Sequence, residues 1–183
     1  LPCSQPLAVA GPTNFSPGDL LSGPHLTVLT GASRGLGLAL AQQLLAQGHR
    51  VLAIARRRTD LAVPPGADLQ CWTADLADAC GVAERLETWL ASQAQQAGAA
   101  PASATLINNA GVVSQLAPLS ALQSTDLAHA LRVGLEAPML LSAAFLRATA
   151  SWAVPRKVLM VSSGLGRRAM AGSASYCAAK AGM

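Results

Sequence analysis

The eight residues from Thr30 to Gly37, TGASRGLG, constrain this chain more than any other stretch. They follow HLTVLT, which reads as a short buried strand, and precede LALAQQLLAQG, where apolar residues recur at helical spacing and Gly48 is a natural stop. RVLAIA then reads as a second buried strand. Strand, glycine turn, helix and strand make a βαβ unit, the opening of a doubly wound parallel sheet. Each glycine has a physical task in such a turn. Gly31 permits a bend that a Cβ would strain, Gly35 lets backbone amides approach a pyrophosphate, and Gly37 allows the helix to pack closely on the strand. A dinucleotide seated on the helix N-terminus is the expectation, with Ser33, Arg34 and Leu36 sharing the loop.

The alternation continues without a break. After a Pro-Pro-Gly loop, Pro64 to Gly66, LQCWTADL gives a third strand, followed by a helix with Val82, Leu86, Trp89 and Leu90 on one face. AQQAGAAPASA reads as a helix end and surface connection, and ATLINNAG as a fourth strand entering a turn. DLAHALRVGLEAPMLLSAAFLRA predicts one long helix buried on several sides, and KVLMVSS a fifth strand. The predicted fold is therefore α/β, a Rossmann-like doubly wound parallel sheet with helices on both faces. One domain over residues 25–183 accounts for the pattern. Residues 1–24, rich in Pro, Gly and Ser and lacking a basic n-region, are expected to be a disordered leader.

Composition excludes several classes. The formal charge of +4 suggests nucleic acid, but the basic residues cluster as Arg56-Arg57-Arg58 and Arg167-Arg168 with no aromatic interleaving. Cys3, Cys71, Cys80 and Cys177 show no metal-ligand spacing, so no metal site is predicted and the thiols suit a reducing, cytoplasmic setting. No stretch has the uncharged length needed to cross a membrane.

Charge also bears on the nucleotide. An acidic residue ending the second strand would bind a ribose 2′-hydroxyl, but the strand runs Ile54-Ala55-Arg56-Arg57. With Arg34 in the glycine loop, these residues offer forked, permanently charged partners for a 2′-phosphate, so NADP(H) is expected over NAD. Arg58 reads as a solvated surface residue. Near the end of the chain Tyr176 and Lys180 stand four apart, on one face of a helix, and Ser163 precedes the tyrosine by thirteen positions. A cation beside a phenol favours tyrosinate and so makes a tyrosine a usable proton donor and acceptor near neutrality.

The ordered motifs TGASRGLG, TADLAD, INNAG, VSS and YCAAK, spread from His25 to Met183, resemble the short-chain dehydrogenase/reductase family in its short TGxxxGxG form. The LINNAG and YCAAKAG wording is most similar to the sepiapterin reductase and benzil reductase group. The resemblance implies that Asp75 and Leu76 contact the adenine. Asn109, Ala110 and Gly111 would pass beside the adenosine ribose, and Asn108 would stabilise the central sheet. Ser163 would hydrogen-bond a substrate carbonyl and Tyr176 would protonate it as hydride arrives. Lys180 would assist the tyrosine and hold the nicotinamide ribose. The implied activity is NADP-dependent reduction of a ketone or aldehyde, or the reverse oxidation, of a small, fairly apolar substrate. A homodimer or homotetramer is also implied. The alternative is a dinucleotide-binding protein without catalysis.

Two departures from the family's pattern qualify this. Aligning VGLEAPMLLS with the usual VNxxxPxxLx wording puts Gly134 where the family has a fourth catalytic residue, an asparagine; Arg132 is the competing alignment. Pro138, four residues on, has no N–H for the carbonyl of Gly134, so a bend with that carbonyl free is expected. The resemblance implies that this carbonyl holds a water on the lysine's proton relay, and a gain in turnover on restoring asparagine at 134 would mean that the relay is broken. Second, the pattern stops three residues after Lys180. The family continues with further strands and a substrate-covering segment, so the chain is expected to be a fragment.

Overall fold

The computed structural model describes residues 24–94 and 101–183. The expected leader, apart from Pro24, and much of the glutamine-rich connection lie outside the described residues. Five strands, β1 His25–Thr30, β2 Arg50–Ala55, β3 Asp68–Thr73, β4 Ser103–Asn108 and β5 Arg156–Met160, form one sheet in the order β3-β2-β1-β4-β5. Every neighbouring pair is parallel. β1 and β2 are buried along all but their first residue, as central strands covered on both faces must be. β3 and β5 each pair with one neighbour and alternate between covered and exposed residues.

The pleat divides the sheet into two faces. Leu26, Val28, Leu52, Ile54 and Leu106 point to one, where they join Leu86 and Leu90 of α2 (Ala79–Ala94) and Leu141 and Phe145 of α4 (Ala137–Ala148) in the larger core. Leu29, Ala53 and Ile107 point to the other, against Ala41 and Leu44 of α1 (Gly35–Ala46). Fully burying side chains of this size stabilises by roughly 1.5–3 kcal/mol each. An exposed bidentate ion pair, Arg147 Nη2 to Glu87 Oε2 at 2.8 Å, also spans α2 and α4.

The long helix expected over residues 126–148 is not uniform. It comprises α3 (Ser124–Leu131), a π turn over Arg132–Glu136, and α4. The N–H of Ala137 reaches back to the carbonyl of Arg132, five residues away. Pro138 gives the physical reason: it donates no hydrogen bond, and its ring crowds the carbonyl four residues back, that of Gly134. The expected bend is thus a widened turn within a continuous helical path. The last helix, α5 (Ala174–Ala181), packs on α3 and on this π turn.

Candidate active site

Strand order reverses at β1, whose neighbours β2 and β4 lead in opposite directions across the sheet. Open α/β sheets bind ligands at such a point, beyond the carboxyl ends of the strands. A cleft of about 670 Å³ lies there. The glycine turn forms its floor. Gly31 has φ +72°, and a Cβ on it would come 2.9 Å from the Cα of Ala110. A Cβ on Gly37 would fall on the carbonyl oxygen of Gly31 and 2.6 Å from Asn109 Nδ2. Gly35, by contrast, faces open space.

The turn is stitched to β4. Thr30 Oγ1 accepts from the backbone N–H groups of Asn109 and Ala110, each at 3.0 Å, and donates to the Ile107 carbonyl at 3.4 Å. Asn109 Nδ2 donates to the carbonyls of Thr30 and Gly31 at 3.0 and 3.3 Å. Asn108 acts elsewhere: its buried Nδ2 donates to Ser142 Oγ at 3.1 Å and Met160 Sδ at 3.4 Å, tying β4 to α4 and β5.

The cleft walls bring together Gly31, Ser33, Arg34, Gly35, Leu36, Gly37, Arg56, Asp75, Leu76, Asn109, Ala110 and Gly111. Arg57 also lines it, whereas Arg58 faces a separate pocket beside Thr59 and Asp60. Exposed Arg34, Arg56 and Arg57 set three guanidiniums against the single carboxylate of Asp75. Helix α1 begins at Gly35 with no side-chain cap and no acidic residue in its first turn. Its positive end is therefore left to an anion from solution. Phosphate groups fit this donor set, and the open face of Gly35 leaves room for them.

Val133 and His129 complete one wall, four residues apart on the path from α3 into the π turn. Sequence reasoning missed His129. Its signal was the helical spacing from Val133, which gives the two a common face.

Tyr176, Lys180 and Ser163 stand outside the cleft walls, and Lys180 lies next to the Gly111 end. A Cβ on Gly111 would lie 3.8 Å from Lys180 Nζ. Lys180, 6% exposed, donates to the Val161 carbonyl at 2.7 Å, and its ammonium lies 5.9 Å from the centre of the Tyr176 ring. Burial disfavours the charged amine and lowers its pKa from the ordinary lysine value. Ser162 Oγ donates to the Lys180 carbonyl at 3.1 Å, fastening the end of α5 to the extension of β5. Ser163 opens the next turn, its Oγ accepting from the Leu165 N–H at 3.2 Å. Half-buried Tyr176 sits one turn before Lys180.

A parallel β3-β2-β1-β4-β5 sheet with a glycine turn and an uncapped helix at its switch point defines a Rossmann-like nucleotide-binding protein. The profile of the short chain dehydrogenase family matches residues 25–183, and the chain belongs to that family. It is 34% identical over 161 residues to the benzil reductase ((S)-benzoin forming) of Bacillus subtilis, a match covering 87% of this chain and 63% of the relative. The crystal structure of a short-chain dehydrogenase/reductase from Burkholderia vietnamiensis superposes with a TM-score of 0.76 at 39% identity, covering 86% of this chain and 74% of that one. A metagenomic short-chain oxidoreductase in complex with NADP gives 0.71 at 29% identity, covering 87% and 70%. Among the described residues, no helix is long and apolar enough to cross a membrane.

Proposed function

We propose that this chain binds NADP(H) in the cleft and forms the catalytic part of a carbonyl reductase whose proton donor is Tyr176. The arrangement around Lys180 carries the reading: a buried ammonium beside the Tyr176 ring, fixed at the Gly111 end of a cleft suited to a dinucleotide. Arg34, Arg56 and Arg57 would hold a 2′-phosphate by charge-assisted, forked hydrogen bonds, which supports NADP over NAD. The N-terminus of α1 would hold the pyrophosphate, and Asp75, Leu76 and Val133 would border the adenine.

NADPH supplies the hydride when bound. Ser163 Oγ already accepts one hydrogen bond, so its proton is available to a substrate carbonyl. The Tyr176 hydroxyl is the acid that neutralises the developing alkoxide, and the nearby ammonium stabilises the phenolate left behind. Lys180 uses one N–H on the Val161 carbonyl and a second on Met183 Sδ, which leaves the third for a ribose hydroxyl. In the oxidative direction the same groups act in reverse.

The Bacillus relative's name points to a diketone, and benzil is accordingly the first substrate to try. The alternative, a dinucleotide-binding protein without turnover, is favoured by one observation: glycine at position 134 in place of the family's asparagine. NADPH oxidation by the full-length chain, followed at its absorbance band with benzil and then a broad panel of carbonyls, separates the two. Turnover that disappears in Tyr176→Phe supports the reductase. Tight NADPH binding with no turnover across the panel supports the alternative.

A further inference from the structure

The catalytic helix approaches the π turn unusually closely. A Cβ built on Gly134 would stand 2.9 Å from the Cβ of Ala179, the residue immediately before Lys180. That is closer than two such carbons can sit, and neither belongs to a side chain that can swing away. Gly134 and Ala179 are both buried, at the point where the widened turn bulges towards α5. The next residue is also closely approached: a Cβ on Gly166 would stand 2.5 Å from the carbonyl oxygen of Lys180. The end of α5 thus meets the π turn at Ala179 and the turn after Ser163 at Lys180, whose side chain is tied to Val161.

We infer that Gly134 is a positioning residue whose missing side chain sets the depth at which α5, and with it Lys180, seats against the sheet. Glycine at this position is then part of the site's construction. A side chain at 134 would push Ala179 away from the π turn and shift Lys180, carried on the same helix, relative to Val161 and the cleft. Its effect would pass through Lys180, since Gly134 does not line the cleft. The inference rests on the reductase reading above and goes beyond it in predicting that asparagine at 134 harms this enzyme.

A compensating pair provides the test. In the full-length protein, turnover of benzil with NADPH is compared for wild type, Gly134→Ala, Gly134→Asn, Ala179→Gly and the double variant Gly134→Ala/Ala179→Gly. Gly134→Ala is expected to lower kcat about tenfold and Gly134→Asn about a hundredfold, the scale for a catalytic group displaced by an ångström. Affinity for adenosine 2′,5′-bisphosphate, a probe of the arginine end, should stay within about twofold, because that end of the cleft is untouched. The double variant, which removes the methyl of Ala179 that the new side chain would meet, should recover most of the lost kcat. A simple packing defect would lower the thermal midpoint in step with kcat, whereas the positioning role lowers kcat in protein that is still folded well below its midpoint. Wild-type turnover combined with no rescue, or a gain from Gly134→Asn, overturns the inference. If Gly134→Ala does not fold, recovery of folding and turnover in the double variant decides for it, and failure of both decides against it. Absence of wild-type turnover would instead strike down the reductase reading.

Discussion

At the scale of single residues, charge and burial do most of the discriminating. Three guanidiniums face one carboxylate in the cleft, so reversing one sign should change nucleotide choice more than overall binding. Arg56→Glu is expected to weaken NADPH about a hundredfold, roughly the loss of a charge-assisted contact plus new repulsion, while leaving NADH nearly unaffected. Fluorescence titration of both nucleotides measures this directly. Lys180 behaves differently, because its charge opposes folding. Burial lowers its pKa, so the folded chain holds this proton less tightly than the unfolded one. Stability is therefore gained as the pH rises from the lowered value towards the ordinary one, and lost again as the pH falls back through the lowered value. Lys180→Met should abolish turnover yet leave the thermal midpoint within about 3 °C, the relieved desolvation offsetting the lost bond to Val161. Calorimetry beside the NADPH assay checks both halves.

At the scale of elements, legibility followed the source of each constraint. β1, β2 and the glycine turn were readable because local chemistry decides them: short, mostly apolar runs and a left-handed residue at Gly31. The π turn was only partly readable. Pro138 announced a bend, but the close approach of α5 to it is a tertiary contact that nothing local to VGLEAP encodes. The adjacent asparagines illustrate the same limit. INNAG names both, and only the fold shows that Asn109 fastens the glycine turn while Asn108 turns to α4 and β5. The arginines were legible as a charge pattern, whereas His129 required the third dimension to bring α3 over the cleft.

The strand ends opposite the cleft carry another prediction. His25 and His49 lie with ring centres 5.0 Å apart, bonded to Ser103 and Thr27 respectively. Burial first, and His25 second, lower the pKa of His49 below 6.5. The folded state thus disfavours the protonated ring, and this share of stability, present above pH 6.5, is lost as the pH falls through the lowered value. Thermal midpoints measured from pH 7.5 to about 5 should decline, and His49→Gln should flatten part of that decline.

At the scale of the whole molecule, the sheet is unevenly covered. α1 covers the central strands on one face, but Leu159 of β5, in register with Ile107, is 50% exposed on that side. Among the described residues β5 pairs with β4 alone, so its outer edge is available to another strand. Leu159→Lys is expected to reduce self-association of this 183-residue chain with little change in unfolding temperature. Light scattering across a concentration series tests it.

The stitch between Asn109 and the glycine turn joins residues 79 positions apart. At roughly 5–20 residues per second of synthesis, the turn would leave the ribosome about 4–16 s before the asparagine that closes over it. In that interval β1 would have only β2 beside it, and the flank destined for β4 would be an unpaired strand edge. A nascent chain of this protein therefore faces a timing problem as well as a packing one. During those seconds no bound nucleotide can help, because the cleft that would hold it does not yet exist.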